Sequence, residues 1–137
     1  MNINVKLSHP KAVMPSRAKA GDAGYDLTAV KIERHHYQFA IIVHTGVRVA
    51  LPPNVMGLIL GRSSLAAAGV DVLGGVIDPG YRGEIKVVLV GLGTKAINPG
   101  DRVAQLVFVP ILTPELVLVD SLDESERGDA GFGSSGK

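Results

Sequence analysis

Pro99-Gly100-Asp101-Arg102-Val103-Ala104-Gln105-Leu106 opens on a turn signal and then alternates in character, the period-two pattern of a half-buried strand. Strict alternation places Asp101, Val103 and Gln105 on one side and Arg102 and Ala104 on the other. The same pattern recurs in Ile3-Asn4-Val5-Lys6-Leu7, Gly46-Val47-Arg48-Val49 and Glu84-Ile85-Lys86-Val87. Between these runs stand Pro10, Pro15, Pro52-Pro53, Pro79-Gly80, Pro110 and Pro114, which leave little room for a long helix. The reading is an all-β chain of many short strands. One segment departs from it: Ser63-Ser64-Leu65-Ala66-Ala67-Ala68-Gly69 predicts a short helix with a serine cap at its start and a glycine at its end.

The chain has 137 residues, enough for one domain with its own core. Lysine and arginine total 14 against 13 acidic residues, so no basic field exists to bind nucleic acid. A small anion held by a few placed arginines remains compatible with that balance. The chain has no cysteine, which excludes disulfides and thiolate metal sites. Met1 to Ser8 lacks the charged-then-apolar order of a signal peptide, and no apolar run approaches the roughly 18 residues of a membrane helix. The expectation is a soluble, cytoplasmic protein with no membrane partner. From Asp120 the sequence turns acidic and then rich in glycine and serine, so residues 1–119 are expected to form the β domain and 120–137 a flexible C-terminal arm.

Several segments carry residue types suited to phosphate chemistry. Arg62-Ser63-Ser64 combines a guanidinium, two hydroxyls and a helix start, although a capped surface helix would read the same way. In Gly75-Val76-Ile77-Asp78-Pro79-Gly80-Tyr81, Asp78 could orient a water for attack, or simply make a turn. Arg102 and Gln105 alone are ordinary surface residues. Arg127 and Phe132 are harder to explain structurally, because a glycine-rich tail offers neither of them packing; a lid over a ligand would use both. Asp26, in Ala23-Gly24-Tyr25-Asp26-Leu27, could meet a metal's water shell, whereas Asp22 reads as solvated. His35-His36 imitates a zinc pair, but neighbours on a strand point to opposite faces and no further ligands cluster with them.

Taken in order, five segments resemble the motifs of the trimeric dUTPase family: Ala23 to Leu27, Arg62 to Leu65, Gly75 to Gly83, Pro99 to Gln105, and Arg127 to Gly136. The resemblance implies a jelly-roll-like β-barrel with one short helix. It also implies a homotrimer whose active sites lie at subunit junctions, each closed by an arm. The implied activity is Mg²⁺-dependent hydrolysis of dUTP to dUMP and pyrophosphate, which keeps uracil out of DNA and supplies dUMP for dTMP synthesis. Within it Asp78 would activate the attacking water and Asp26 would hold Mg²⁺ through water. Arg62, Ser63, Ser64, Arg102 and Gln105 would grip the phosphates, while Arg127 with Ser134 would clamp the γ end. Tyr81 would lie under the deoxyribose, uracil would pair with backbone around Gly75 and Lys86, and Phe132 beside Gly133 would cap the base.

The sequence departs from the family pattern at Ala130 and Ser64, where glycine is frequent, and at Pro79-Gly80, where an acidic pair is usual. Two other functions fit parts of the pattern. A dCTP deaminase shares a similar Gly-Arg-Ser-Ser-Leu-Ala segment, but its catalytic glutamate would fall at Val88, which cannot move a proton. A non-catalytic nucleotide-binding trimer would keep the binding residues and bind without turnover.

Overall fold

The computed structural model describes residues 1–34 and 39–133; His35-His36 and Ser134 lie outside them. Among these residues ten strands and one helix form: β1 (Asn4–Leu7), β2 (Tyr25–Thr28), β3 (Lys31–Arg34), β4 (Ile41–His44), β5 (Val47–Ala50), β6 (Val55–Leu60), α1 (Ser63–Ala66), β7 (Asp71–Leu73), β8 (Val76–Ile77), β9 (Lys86–Val90) and β10 (Arg102–Pro110). The all-β reading with a single short helix holds. Hydrogen bonding divides the strands into a β1-β5 pair and two four-stranded sheets, β2-β10-β6-β8 and β3-β4-β9-β7, rather than one continuous closed ring. Among the described residues no helix is long and apolar enough to cross a membrane.

Alternation builds the core. β9 buries Val87 and Leu89 between less buried neighbours, and β6 buries Val55, Gly57 and Ile59. Leu27, Val43, Ile85, Leu89, Val103 and Leu106 are almost wholly excluded from water, each such side chain contributing about 1.5–3 kcal/mol. Thr45 is a buried polar residue within this core, and its hydroxyl donates to the Ile85 carbonyl at 2.6 Å.

Strict alternation fails at one point. Arg102 stands opposite Thr28 on β2, but the next partner of Leu27 is Ala104, so β10 spends two residues where β2 spends one. Val103 is the extra residue of a β-bulge, and both Val103 and Ala104 are fully buried. The bulge therefore returns Arg102 to the face that carries Gln105, instead of the opposite face that the alternation implied. A second local reading also changes. Arg62, extended at φ −88° and ψ 141°, occupies the N-cap of α1 with no side-chain cap, so both serines lie inside the first turn.

Candidate active site

The bulge brings together residues far apart in sequence. Asp26 faces Gln105 across β2 and β10. Asp26 Oδ1 accepts from Arg62 Nε and Oδ2 from Arg102 Nη1, each at 3.0 Å. Arg62 Nη1 also donates to the Arg102 carbonyl at 3.2 Å, and Gln105 Nε2 donates to the Gly61 carbonyl at 2.9 Å. A side chain at Gly24 would collide with the Gln105 amide, so glycine stands immediately before β2. These residues, with Ser63, Ala18, Asp22 and Ala23, line a cleft of about 390 Å³. Asp22 Oδ2 accepts the Lys19 N–H at 2.8 Å, a turn role consistent with its solvated reading. Ser64 lines a neighbouring cleft with Arg62, Arg102 and Lys95. Two guanidiniums bracket one carboxylate, and each keeps further N–H donors for an anion.

The third segment forms a separate unit. Gly75 bends the chain at φ +108°, and its carbonyl accepts the Ile59 N–H at 2.8 Å. A Cβ at Gly75 would come within 2.7 Å of the Ile59 carbonyl oxygen, so only glycine permits this approach. Asp78 follows β8 in an exposed turn closed by the Tyr81 N–H on the Asp78 carbonyl at 3.0 Å. The Asp78 carboxylate has no hydrogen-bond partner among the described residues. The Tyr81 hydroxyl donates to the Glu84 carbonyl at 2.9 Å, and Lys86 opens β9 on the exposed side. None of Gly75, Asp78, Tyr81 or Lys86 lines the cleft around Asp26.

The arm meets neither group. Residues 112–130 are exposed throughout, Arg127 Nε donates to the Ala130 carbonyl at 3.1 Å, and Phe132 is fully exposed at φ +50°. Within one chain the sequence motifs therefore assemble as three parts: a cleft around Asp26, a loop between β8 and β9 carrying Asp78 and Tyr81, and the exposed C-terminal segment.

Sequence reasoning gave Glu84 and His44 no role at the site. Glu84 Oε1 accepts the Gly46 N–H at 2.8 Å, and Oε2 lies 3.0 Å from His44 Nδ1. Burial alone would raise the Glu84 carboxyl, but the Gly46 N–H, the His44 hydrogen bond and the positive charges of His44 and Lys86 outweigh it and hold it below its ordinary value of 4.5. A depressed carboxyl stabilises the fold above its unfolded value and loses that contribution as pH falls through its folded one. Thermal melts should therefore show Glu84→Gln less stable than the parent at neutral pH, with the gap narrowing as pH drops below about 4.5. A gap independent of pH would contradict the assignment.

A family model for dUTPase matches residues 10–136. The deoxyuridine 5'-triphosphate nucleotidohydrolase of Mycolicibacterium gilvum is 48% identical, over 93% of this chain and 90% of that protein. The enzyme of the same name from monkeypox virus is 41% identical, over 99% of this chain and 94% of the relative. Among solved structures, a G164S mutant of the Staphylococcus bacteriophage 80alpha dUTPase with dUpNHpp superposes with a TM-score of 0.86 at 31% identity, covering 99% of both chains. Fold, motif order and relatives agree, and the chain belongs to the dUTPase family.

Proposed function

We propose that this chain hydrolyses dUTP to dUMP and pyrophosphate. The observation that carries the reading is Asp26 held between Arg62 and Arg102, on a cleft shared with Ser63 and Gln105. That donor set suits a polyphosphate, and the relatives' shared name supplies the nucleotide. Asp78, in an exposed turn and without a side-chain partner among the described residues, accepts the proton of the water that attacks the α-phosphorus. The bond from that phosphorus to the bridging oxygen breaks, and pyrophosphate leaves. Arg62, Arg102, Ser63, Ser64 and Gln105 orient the phosphate chain, and Arg127 with Ser134 clamps its far end.

Selection among nucleotides falls to the β8–β9 loop and the arm. Tyr81 lies under the deoxyribose and leaves no space for a 2′-hydroxyl. Backbone around Gly75 and Lys86 pairs with uracil, where a cytosine amine would leave polar groups unmatched. Phe132, beside Gly133, caps the base.

A magnesium ion fits this site as an outer-sphere guest. The Asp26 carboxylate is already bracketed by two arginines, and the described residues contain no cluster of three or more acidic or histidine ligands. Phosphate oxygens would supply the direct ligands, with Asp26 reaching the ion through water. The ion would neutralise charge on the leaving pyrophosphate.

The separation of cleft, β8–β9 loop and arm supports a homotrimer in which neighbouring subunits complete each site, with residues 120–137 acting as a lid over a neighbour's. The stretch before the lid supports it too: Leu112, Leu116 and Leu118 are all exposed, an apolar tract that a subunit surface would cover. Incubation with dUTP or dCTP plus Mg²⁺, assaying both pyrophosphate and ammonia, tests the reaction. Pyrophosphate from dUTP alone is expected. Ammonia from dCTP would point to the deaminase, and binding without product to a non-catalytic trimer.

A further inference from the structure

His44 and Glu84 take no part in the proposed chemistry, yet they sit in a dense hydrogen-bond junction. The His44 side chain is 15% exposed at the end of β4, with Nδ1 3.0 Å from Glu84 Oε2 and Nε2 3.0 Å from Glu33 Oε2. The Gly46 N–H holds the other Glu84 oxygen. Neighbouring residues tighten the same junction: the Thr45 hydroxyl donates to the Ile85 carbonyl at 2.6 Å, and the Ile85 N–H donates to the Val47 carbonyl at 2.8 Å. The turn between β4 and β5 thus grips Glu84 and Ile85 together. On the outer side of that grip, the Glu84 carbonyl accepts the Tyr81 hydroxyl. The Tyr81 ring also fills the space that a side chain at Gly83 would need.

We propose that His44 and Glu84 are positioning residues for Tyr81: the clasp of His44 and Gly46 on the Glu84 carboxylate fixes the peptide whose carbonyl anchors the Tyr81 hydroxyl. The ring is thereby set at the height that excludes a 2′-hydroxyl. The proposal rests on Tyr81 lying under the deoxyribose.

The chemistry of the clasp favours permanence. An imidazolium donates to both carboxylates, while Lys31 and Lys86 stand in register on either side of His44. The Gly46 N–H holds the second Glu84 oxygen as well, so the Glu84 carboxylate is anchored through both of its oxygens.

The test compares kcat/KM for dUTP and UTP in the parent, His44→Ala, Glu84→Ala, Glu84→Gln, Tyr81→Phe and the Tyr81→Phe/His44→Ala double variant. Loss of one anchoring hydrogen bond should lower the dUTP-over-UTP preference by about fivefold in the two alanine variants and in Tyr81→Phe. The gain should fall on UTP. Glu84→Gln keeps an acceptor for Gly46 and a polar group for His44, so it should restore the preference to within about twofold of the parent. In the Tyr81→Phe background, His44→Ala should change the preference no further. Independent, additive losses, or an unchanged preference in both alanine variants, would overturn the proposal. If His44→Ala does not fold, His44→Gln takes its place in the same cycle. Parental turnover of dUTP is read separately: its absence would undo the function, while its presence with an additive cycle would undo only the clasp.

Discussion

Asp78→Asn cuts turnover of dUTP by roughly 10²–10⁴-fold, the usual contribution of a positioned general base, and leaves nucleotide affinity within a few fold. The substitution keeps the size and the turn. The Asp78 carbonyl still accepts the Tyr81 N–H, and the side chain has no partner among the described residues to lose. Only the capacity to take a proton from water disappears, so kcat should collapse while binding of a slowly hydrolysed analogue, measured by calorimetry, persists. Turnover comparable with the parent would place the base elsewhere. Loss of binding instead would mean that Asp78 holds the nucleotide rather than its water.

Deleting Arg127 to Lys137 should lower kcat/KM for dUTP by about 10³-fold or more, the scale on which an arginine acting on a transferring phosphoryl group contributes. The truncation removes Arg127 and Phe132 together. It leaves the body intact, because the described arm residues make no hydrogen bond to any strand. It also leaves Leu112, Leu116, Leu118 and Leu122, the apolar tract available to a neighbouring subunit. Size-exclusion chromatography with light scattering should therefore return the same oligomer as the full chain. Dissociation on truncation would assign the arm to assembly.

The strands were legible because alternation and turn residues are local properties. Asn4–Leu7, Val47–Ala50 and the start of the last strand lie where the pattern places them, whereas Lys86–Val90 begins two residues later than the alternating run from Glu84. What stayed hidden depends on pairing. Nothing local to Val103 reports that Leu27 will face Ala104 rather than its neighbour, so the alternation put Arg102 and Gln105 on opposite faces. The serine cap failed for a related reason. The extended residue before the helix is Arg62, whose guanidinium is held by Asp26, and tertiary contacts outweighed capping preference. Each residue of the cleft had an ordinary surface explanation by itself, and only the motif order singled them out. Glu84 carried no signal of its clasp, because its partners His44 and Gly46 reach it from a distant turn.

The bulge at Val103 makes chain length itself a functional attribute of this protein. Val103 is buried and has no need to touch a nucleotide, yet its presence in the count decides whether a guanidinium joins Asp26 and Gln105 or turns to the other face. Substitutions there that keep the volume are tolerable to the cleft, whereas loss of a single residue would preserve most of the strand and still dismantle the charge pattern beside it. In a family compared position by position, the spacing between Pro99 and Gln105 is then as informative as the identity of the arginine it delivers.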